Sequence, residues 1–272
     1  FITQAVAADA TVPYVPTPQV VVDRMLQMAK VTPLDYVIDL GSGDGRIVIT
    51  AAKKYGARGF GVDLNPVRIK EATENAAKAG VSDRVTFYQR NLFETDFSQA
   101  TVMTMYLLPR VNLDLRPKIL ALKPGTRVVS HDFSMDEWKA DEQVDIDADD
   151  KYGPGSGKGL STVFLWIVPA NAAGNWQWQT TIGGKPQTYE MTLEQKFQVV
   201  TGSVRVNGRS SRFDAIKLVG DLFTATFVAD VNGGVVKHQL TGRIAGGAID
   251  GSVTVAGARM QSQSEWSAAR KP

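Results

Sequence analysis

The sequence predicts an α/β chain: a doubly wound parallel sheet covered by helices through about residue 170, followed by a small antiparallel β-barrel or sandwich. Three observations carry this. Short apolar runs alternate with helix-period segments as far as Pro169. The first of these runs breaks into the glycine turn Gly41-Ser42-Gly43-Asp44-Gly45. Beyond about Ala173 the texture changes to period-two alternation punctuated by Gly, Asn and Asp. The expected divisions are an N-terminal segment 1–17, an α/β domain 18–170 and an all-β domain 171–272, with the linker between about 169 and 175.

Thr17-Pro18 pairs an N-cap residue with proline at the first helical position, and Val21, Val22, Met25 and Met28 follow at helical spacing, which predicts a helix over about 18–30. Tyr36 to Leu40 is an apolar strand leading into the glycine turn, after which Ile47, Val48, Ala51 and Ala52 resume a helical period. Gly59 to Asp63 repeats the strand, and Asn65-Pro66 opens a helix that Gly80 ends. Further strands are expected at 85–88, 101–107 and 127–131, with a helix near 112–121 before Lys123-Pro124-Gly125. Acidic residues accumulate from Asp136 to Asp150, followed by Gly153-Pro154-Gly155-Ser156-Gly157; this stretch reads as an exposed excursion from the sheet, before a last strand over 161–168. In the C-terminal part, runs such as 197–206, 222–229 and 248–255 alternate in period two, and Asn207-Gly208, Asn232-Gly233 and Asp250-Gly251 supply hairpin-turn chemistry. Roughly eight strands fit the available length.

Composition narrows the chemistry. With 272 residues, 43% of them hydrophobic, the chain can build a substantial core, and a net charge of +2 makes no broad electrostatic claim on nucleic acid or an anionic membrane. The absence of cysteine removes disulfides, thiolate nucleophiles and Cys-ligated zinc, while His131 and His238 stand too far apart in sequence to suggest a metal site. No apolar run reaches the roughly 18 residues a transmembrane helix needs. Ala5-Val6-Ala7, within the stretch Phe1 to Ala10, has the small-x-small spacing of a signal-peptidase site. An export-signal remnant and an ordinary disordered terminus are equal readings of it, so a cytoplasmic and a periplasmic location both stand open.

In a Rossmann-like unit the glycine turn lets backbone approach a ligand, and an acidic residue about 20 positions later, ending the second strand, bonds a ribose diol. Asp63 holds that place. A dinucleotide would set its pyrophosphate on the helix N-terminus, but Asp39 precedes the loop and Asp44 lies inside it, and two carboxylates repel phosphate. S-adenosylmethionine carries an ammonium, a sulfonium and a single carboxylate, and suits an acidic loop. Arg46 also stands where a dinucleotide fingerprint wants its third glycine.

Asp39-Leu40-Gly41-Ser42-Gly43-Asp44-Gly45-Arg46, with Val62-Asp63-Leu64-Asn65-Pro66 downstream, resembles motif I and its acidic partner in class I S-adenosylmethionine-dependent methyltransferases. With Pro13-Tyr14-Val15-Pro16-Thr17 ahead of the first helix, the chain is more closely similar to the protein-lysine methyltransferases related to those acting on the c-ring protein of ATP synthase. The resemblance covers about residues 12–135. It implies a methyltransferase sheet with Asp39 on the cofactor's amino group, Gly41, Ser42 and Gly43 along its methionine part, Asp63 with Leu64 at the ribose, and Tyr14 and Thr17 on a segment closing over it. The class often contacts adenine through an acidic residue after the third strand; here Asn91, followed by Leu92, takes that place.

Methyl transfer from an activated sulfonium needs positioning, plus a neutral amine when the acceptor is lysine, and strictly requires no dedicated base. The Asn-Pro-Pro-Tyr signature of amide or adenine methylation is absent, the corresponding strand end reading Tyr106-Leu107-Leu108-Pro109. Tyr106 and the His131-Asp132 pair, near C-terminal strand ends, are the residues expected to shape the acceptor pocket, although a histidine at a strand end is often only a satisfied polar group. Trp176, Trp178 and Trp266 read as core or rim packing, and Arg205, Arg209, Arg212 and Lys217 as surface charges. The expected activity is N-methylation of a protein lysine, with no nucleic-acid partner. A small-molecule acceptor, or a non-catalytic cofactor or ligand-binding protein using the β domain, remain as alternatives.

Overall fold

The computed structural model describes residues 14–149, 151–152, 155–258 and 260–271. Residues 1–10, with the signal-peptidase spacing, lie outside them. The chain divides into two compact units: one runs to Leu122 and resumes over Thr126–Trp166, and the other takes Lys123–Gly125 and the chain from Ile167.

The first unit is a seven-stranded sheet in the order β3-β2-β1-β4-β5-β7-β6. Its strands are β1 (Tyr36–Leu40), β2 (Arg58–Asp63), β3 (Val85–Gln89), β4 (Val102–Met105), β5 (Arg127–His131), β6 (Glu142–Asp149) and β7 (Lys158–Ile167). The pairs β1–β2, β1–β4, β2–β3 and β4–β5 are parallel. Helices α1 (Gln19–Met28), α2 (Arg46–Tyr55), α3 (Pro66–Ala79) and α4 (Pro109–Leu120) complete the unit. Val21, Val22, Met25 and Leu26 of α1 are fully buried and join Val37, Ala51, Val102, Val129 and Val163 in one core cluster. Strand order reverses between β1 and β4, so a crevice opens beyond their carboxyl ends.

Three local expectations are corrected here. The residue at the N-cap of α1 is Pro18, in extended geometry with no side-chain cap, and Thr17 turns its hydroxyl elsewhere. The acidic stretch expected as an exposed excursion contains β6, paired antiparallel with β7, so the sheet is mixed rather than all parallel. Period-two alternation explains this: Val144, Ile146 and Ala148 face the core while Asp145, Asp147 and Asp149 face solvent, and the acidic side suits an edge strand. The α4 helix starts at Pro109, three residues earlier than its apolar period suggested, because proline is suited to the first turn.

The second unit is a closed eight-stranded barrel whose pairings are all antiparallel; each joins chain neighbours except the closing pair β15–β8. Its strands are β8 (Gly174–Ile182), β9 (Lys185–Lys196), β10 (Val199–Val206), β11 (Arg209–Val219), β12 (Leu222–Val231), β13 (Gly234–Ala245), β14 (Ala248–Gly257) and β15 (Met260–Arg270). The alternatives of barrel and sandwich are thereby resolved to a barrel. Asn207-Gly208 and Asn232-Gly233 turn with positive φ as expected, but Asp250 and Gly251 lie inside β14 and pair with Arg243 and Gly242. Gly251 is needed there because a Cβ would meet the Thr241 carbonyl oxygen at 2.0 Å; the turn itself falls at Gly246-Gly247. Phe197, expected to begin a strand, occupies the β9–β10 turn with φ 56°.

Inward side chains fill the barrel, as eight strands allow. Trp178 stacks on Tyr189 at 4.8 Å and meets Trp266 edge-on, Phe227 stacks on His238 at 4.5 Å, and Trp176 is fully buried. The Tyr189 hydroxyl and His238 Nε2 are 2.8 Å apart, so a hydrogen bond accompanies the stacking, and burial lowers the His238 pKa to about 4. Arg205, Arg209, Arg212 and Lys217 are exposed on the outside. Truncating Phe227 to alanine removes a fully buried ring from this packing and is expected to cost the barrel about 3–5 kcal/mol in urea unfolding; a loss below about 1 kcal/mol would show that its interior is not close-packed.

Candidate functional site

The glycine loop is built to cross the end of the sheet closely. Gly41, Gly43 and Gly45 have φ of 77°, 51° and 81°, a region that side chains disfavour. The N–H groups of Gly41 and Ser42 both donate to the Val62 carbonyl, at 2.9 and 2.8 Å, tying the loop to the end of β2. Asp63 completes the tie: one carboxylate oxygen accepts from Gly43 N–H at 3.0 Å and the other from Asn65 N–H at 2.8 Å. Asn65 in turn caps α3 by accepting from Val67 N–H. A Cβ at Gly43 would meet the Tyr14 ring at 2.4 Å, so the absence of a side chain there lets Tyr14 lie across the loop.

A cavity of about 320 Å³ opens at this crevice. Among its walls are Gly41, Ser42 and Gly43 from the loop, Asp39 at the end of β1, Asp63 and Leu64 after β2, Asn91 and Leu92 after β3, Tyr106 after β4, and Tyr14 and Thr17 from the segment before α1. Every residue the sequence pointed to as cofactor-binding therefore lines one space. Sequence reasoning passed over other walls, namely Arg68, Arg90, Phe93, Leu107 and Val111. These come from helix faces and loop ends that carry no motif. His131 and Asp132 are not among the cavity walls; they stand behind Tyr106.

The electrostatics are uneven among the three acidic residues. Asp39 is buried and its carboxyl is pushed up to about 7, by burial first and by the charges of Asp44 and Asp63, against a hydrogen bond from the Thr104 hydroxyl at 2.7 Å. For Asp44 burial acts upward, but Arg46 outweighs it and holds the carboxyl below its ordinary value, with a bidentate contact whose shortest arm is 2.6 Å. The same guanidinium donates to the Thr17 carbonyl at 2.9 Å, anchoring the segment before α1 to the loop. Asp44 is thus largely neutralised, Asp63 is held by two backbone N–H groups, and Asp39 lacks a cation within its own hydrogen-bonding shell. Ser42 Oγ is buried against Gly61 of β2, without a hydrogen-bond partner among the described residues.

Beyond Tyr106 lies a connected polar group. The Tyr106 ring packs on His131 at 3.9 Å and its hydroxyl donates to Asp132 Oδ2 at 3.3 Å. His131 is fully buried, with Nδ1 3.3 Å from the Thr17 hydroxyl and Nε2 3.0 Å from the Ser161 hydroxyl, and desolvation lowers its pKa to about 4 despite Asp132. It is neutral near pH 7 and holds Thr17 and Tyr106 in place. Burial and the Asp132 charge raise the Tyr106 hydroxyl well above its ordinary value, so it is a donor, not a base.

A carboxyl raised in the fold favours folding while it is protonated; that contribution is present below pH 3.8 and is lost as pH rises through about 7. Replacing Asp39 with asparagine keeps the acceptor for Thr104 and removes the buried charge. The variant is expected to match the parent in stability near pH 4 and to exceed it by up to about 4 kcal/mol at pH 8–9 in denaturant titrations. A difference that does not change with pH would contradict the strained, buried carboxylate.

Comparison with known proteins bears on what this cavity holds. Residues 39–142 match the model of the ANTKMT methyltransferase domain family. The chain is 48% identical over 159 residues to a protein-lysine N-methyltransferase of Saccharolobus islandicus (strain REY15A), a match spanning 58% of this chain and 94% of that protein. It is 35% identical over 130 residues to the adenine nucleotide translocase lysine N-methyltransferase of Mus musculus, spanning 47% of this chain and 56% of the mouse protein. Among solved structures it is similar to one described as an RNA methyltransferase from Salinibacter ruber in complex with S-adenosyl-L-homocysteine, at 51% identity and a TM-score of 0.52, covering 58% of this chain and 95% of that one. Kinship this close, carried across nearly the whole Saccharolobus protein and joined to a cavity at the glycine loop beyond β1 and β2, makes the chain a class I S-adenosylmethionine-dependent methyltransferase.

Proposed function

We propose that the chain methylates the side-chain nitrogen of a protein lysine. The observation that carries this reading is the 48% identity to a protein-lysine N-methyltransferase over 94% of that protein's length. In the cofactor half of the site, Asp39 takes the amino group of S-adenosylmethionine, Gly41, Ser42 and Gly43 follow its methionine part, and Asp63 and Leu64 meet the ribose. Asn91 and Leu92 flank the base, and Tyr14 and Thr17 cover the cavity. When bound, the cofactor supplies an electrophilic methyl group on a sulfonium, taken by an amine lone pair with the carbon–sulfur bond breaking toward sulfur. The protein's part is to hold a neutral amine in line and keep water out. Tyr106 forms the wall between the cavity and the acceptor side, His131 fixes Tyr106 and Thr17, and Asp132 receives the Tyr106 hydroxyl.

The similarity to a protein described as an RNA methyltransferase makes RNA the rival acceptor. Charge favours lysine. The exposed face of β6 presents Asp145, Asp147 and Asp149; these carboxylates attract a basic polypeptide and repel a phosphate backbone. With methyl-labelled cofactor, label is expected in methyllysine after hydrolysis of a cell extract treated with the enzyme, and its appearance only in nuclease-sensitive material would overturn the lysine reading. A cationic amino group beside Asp39 favours the ionised carboxylate, so cofactor affinity should rise with pH up to about 7 and fall by up to about tenfold per pH unit below it. Calorimetry across pH checks this, and a flat profile for the parent protein would remove Asp39 from the amino group.

A further inference from the structure

Lys151 lies in the turn between β6 and β7, yet only 5% of its surface is exposed. Its Nζ is 2.9 Å from Asp132 Oδ2 and also donates to the Leu160 carbonyl. The aliphatic stem runs over Gly159, where even a Cβ would meet Lys151 Cβ at 2.8 Å, and the ammonium lies 5.5 Å from the centre of the Tyr152 ring. This arrangement comprises a bed for the four-carbon stem over Gly159, two oxygen acceptors at its end and an aromatic face nearby. One of those acceptors, Asp132, also receives the hydroxyl of Tyr106, which lines the cofactor cavity.

Two further observations separate this from an ordinary ion pair. Burying an ammonium is costly and a paired carboxylate seldom turns that cost into net stability, so such a pair is weak evidence of a structural role. Asp132 also has φ 62°, an uncommon conformation for a residue with a side chain, and its Oδ1 accepts from Thr162 N–H at 3.0 Å, which holds the carboxylate in position. The backbone is strained at the point where the carboxylate is aimed.

We propose that Asp132, the Leu160 carbonyl and the Tyr106 hydroxyl form the subsite for the acceptor's alkylammonium group, and that Lys151 fills it as an internal stand-in that an incoming lysine must displace. This rests on the lysine reading of the acceptor. Two N–H bonds, to Asp132 and to the Leu160 carbonyl, orient the nitrogen.

The test uses n-butylammonium, which has the stem and head of lysine and nothing else, titrated by ligand-observed NMR into the full chain saturated with S-adenosylhomocysteine. Lys151→Ala is expected to bind it saturably at about 1–10 mM, the parent at least tenfold more weakly, and Lys151→Ala/Asp132→Asn not at all. Equal binding by parent and Lys151→Ala, or binding that survives the loss of the Asp132 charge, overturns the proposal. If Lys151→Ala does not fold, Lys151→Met keeps the stem and serves in its place; failure of both to fold assigns Lys151 a structural role and also overturns it. Because no methyl transfer is read, butylammonium binding without lysine methylation would refute the acceptor assignment while leaving the subsite standing, and lysine methylation without butylammonium binding would do the reverse.

Discussion

Two backbone N–H groups, of Gly43 and Asn65, converge on the carboxylate of Asp63, at 3.0 and 2.8 Å. One belongs to the turn after the first strand and the other to the turn after the second, so a single side chain at the end of β2 locks both. Charge-assisted hydrogen bonds of this kind are worth roughly twice a neutral one, and here one of them fixes the middle of a loop whose three glycines all have positive φ. The cavity exists because of that lock. Had the loop bowed a few ångströms outward, the Val62 carbonyl would lose its two donors, and Tyr14 would lose the bare Gly43 surface it lies across.

The electrostatic character follows from what the lock leaves over. Asp44 is matched by Arg46, and the same arginine reaches the Thr17 carbonyl, so neutralising the loop and fastening the covering segment are one interaction. Thr17 is held again from the other side by His131, which also supports Tyr106. Among the described residues of the loop and its strand ends, Asp39 stays buried without a cation, kept near the middle of the pH scale by desolvation and by its acidic neighbours. A protein stable without ligand would not choose that residue there; an enzyme that binds an ammonium would. Behind Tyr106 the logic repeats with opposite sign, because Lys151 satisfies Asp132 from within the chain.

Motif residues were legible because their chemistry is local. Glycine spacing, an aspartate ending each of two strands and a proline after a helix-capping asparagine state their roles within a few positions, and all of them line or brace the cavity. The acidic run 136–150 was misread because charge density hid a period of two in Val144, Ile146 and Ala148, and edge strands tolerate charge that central strands do not. Asp250-Gly251 was misread because glycine in a strand marks close backbone approach as readily as a turn. Thr17 looked like a cap until its hydroxyl was seen to face a histidine 114 positions away, and Lys151 carried no signal at all. Contacts across such distances are set by the strand order, which the sequence pattern does not print.

Calorimetric titration of the full chain with S-adenosylmethionine and with S-adenosylhomocysteine, repeated on Asp63→Ala, addresses the central claim most directly. Removing that carboxylate takes away the loop's lock and, on the proposed assignment, the ribose contact, so the account predicts stoichiometric binding by the parent and an affinity at least about 100-fold lower in a variant that still folds. Absence of binding by well-folded parent protein, or equal affinity in the variant, would contradict it.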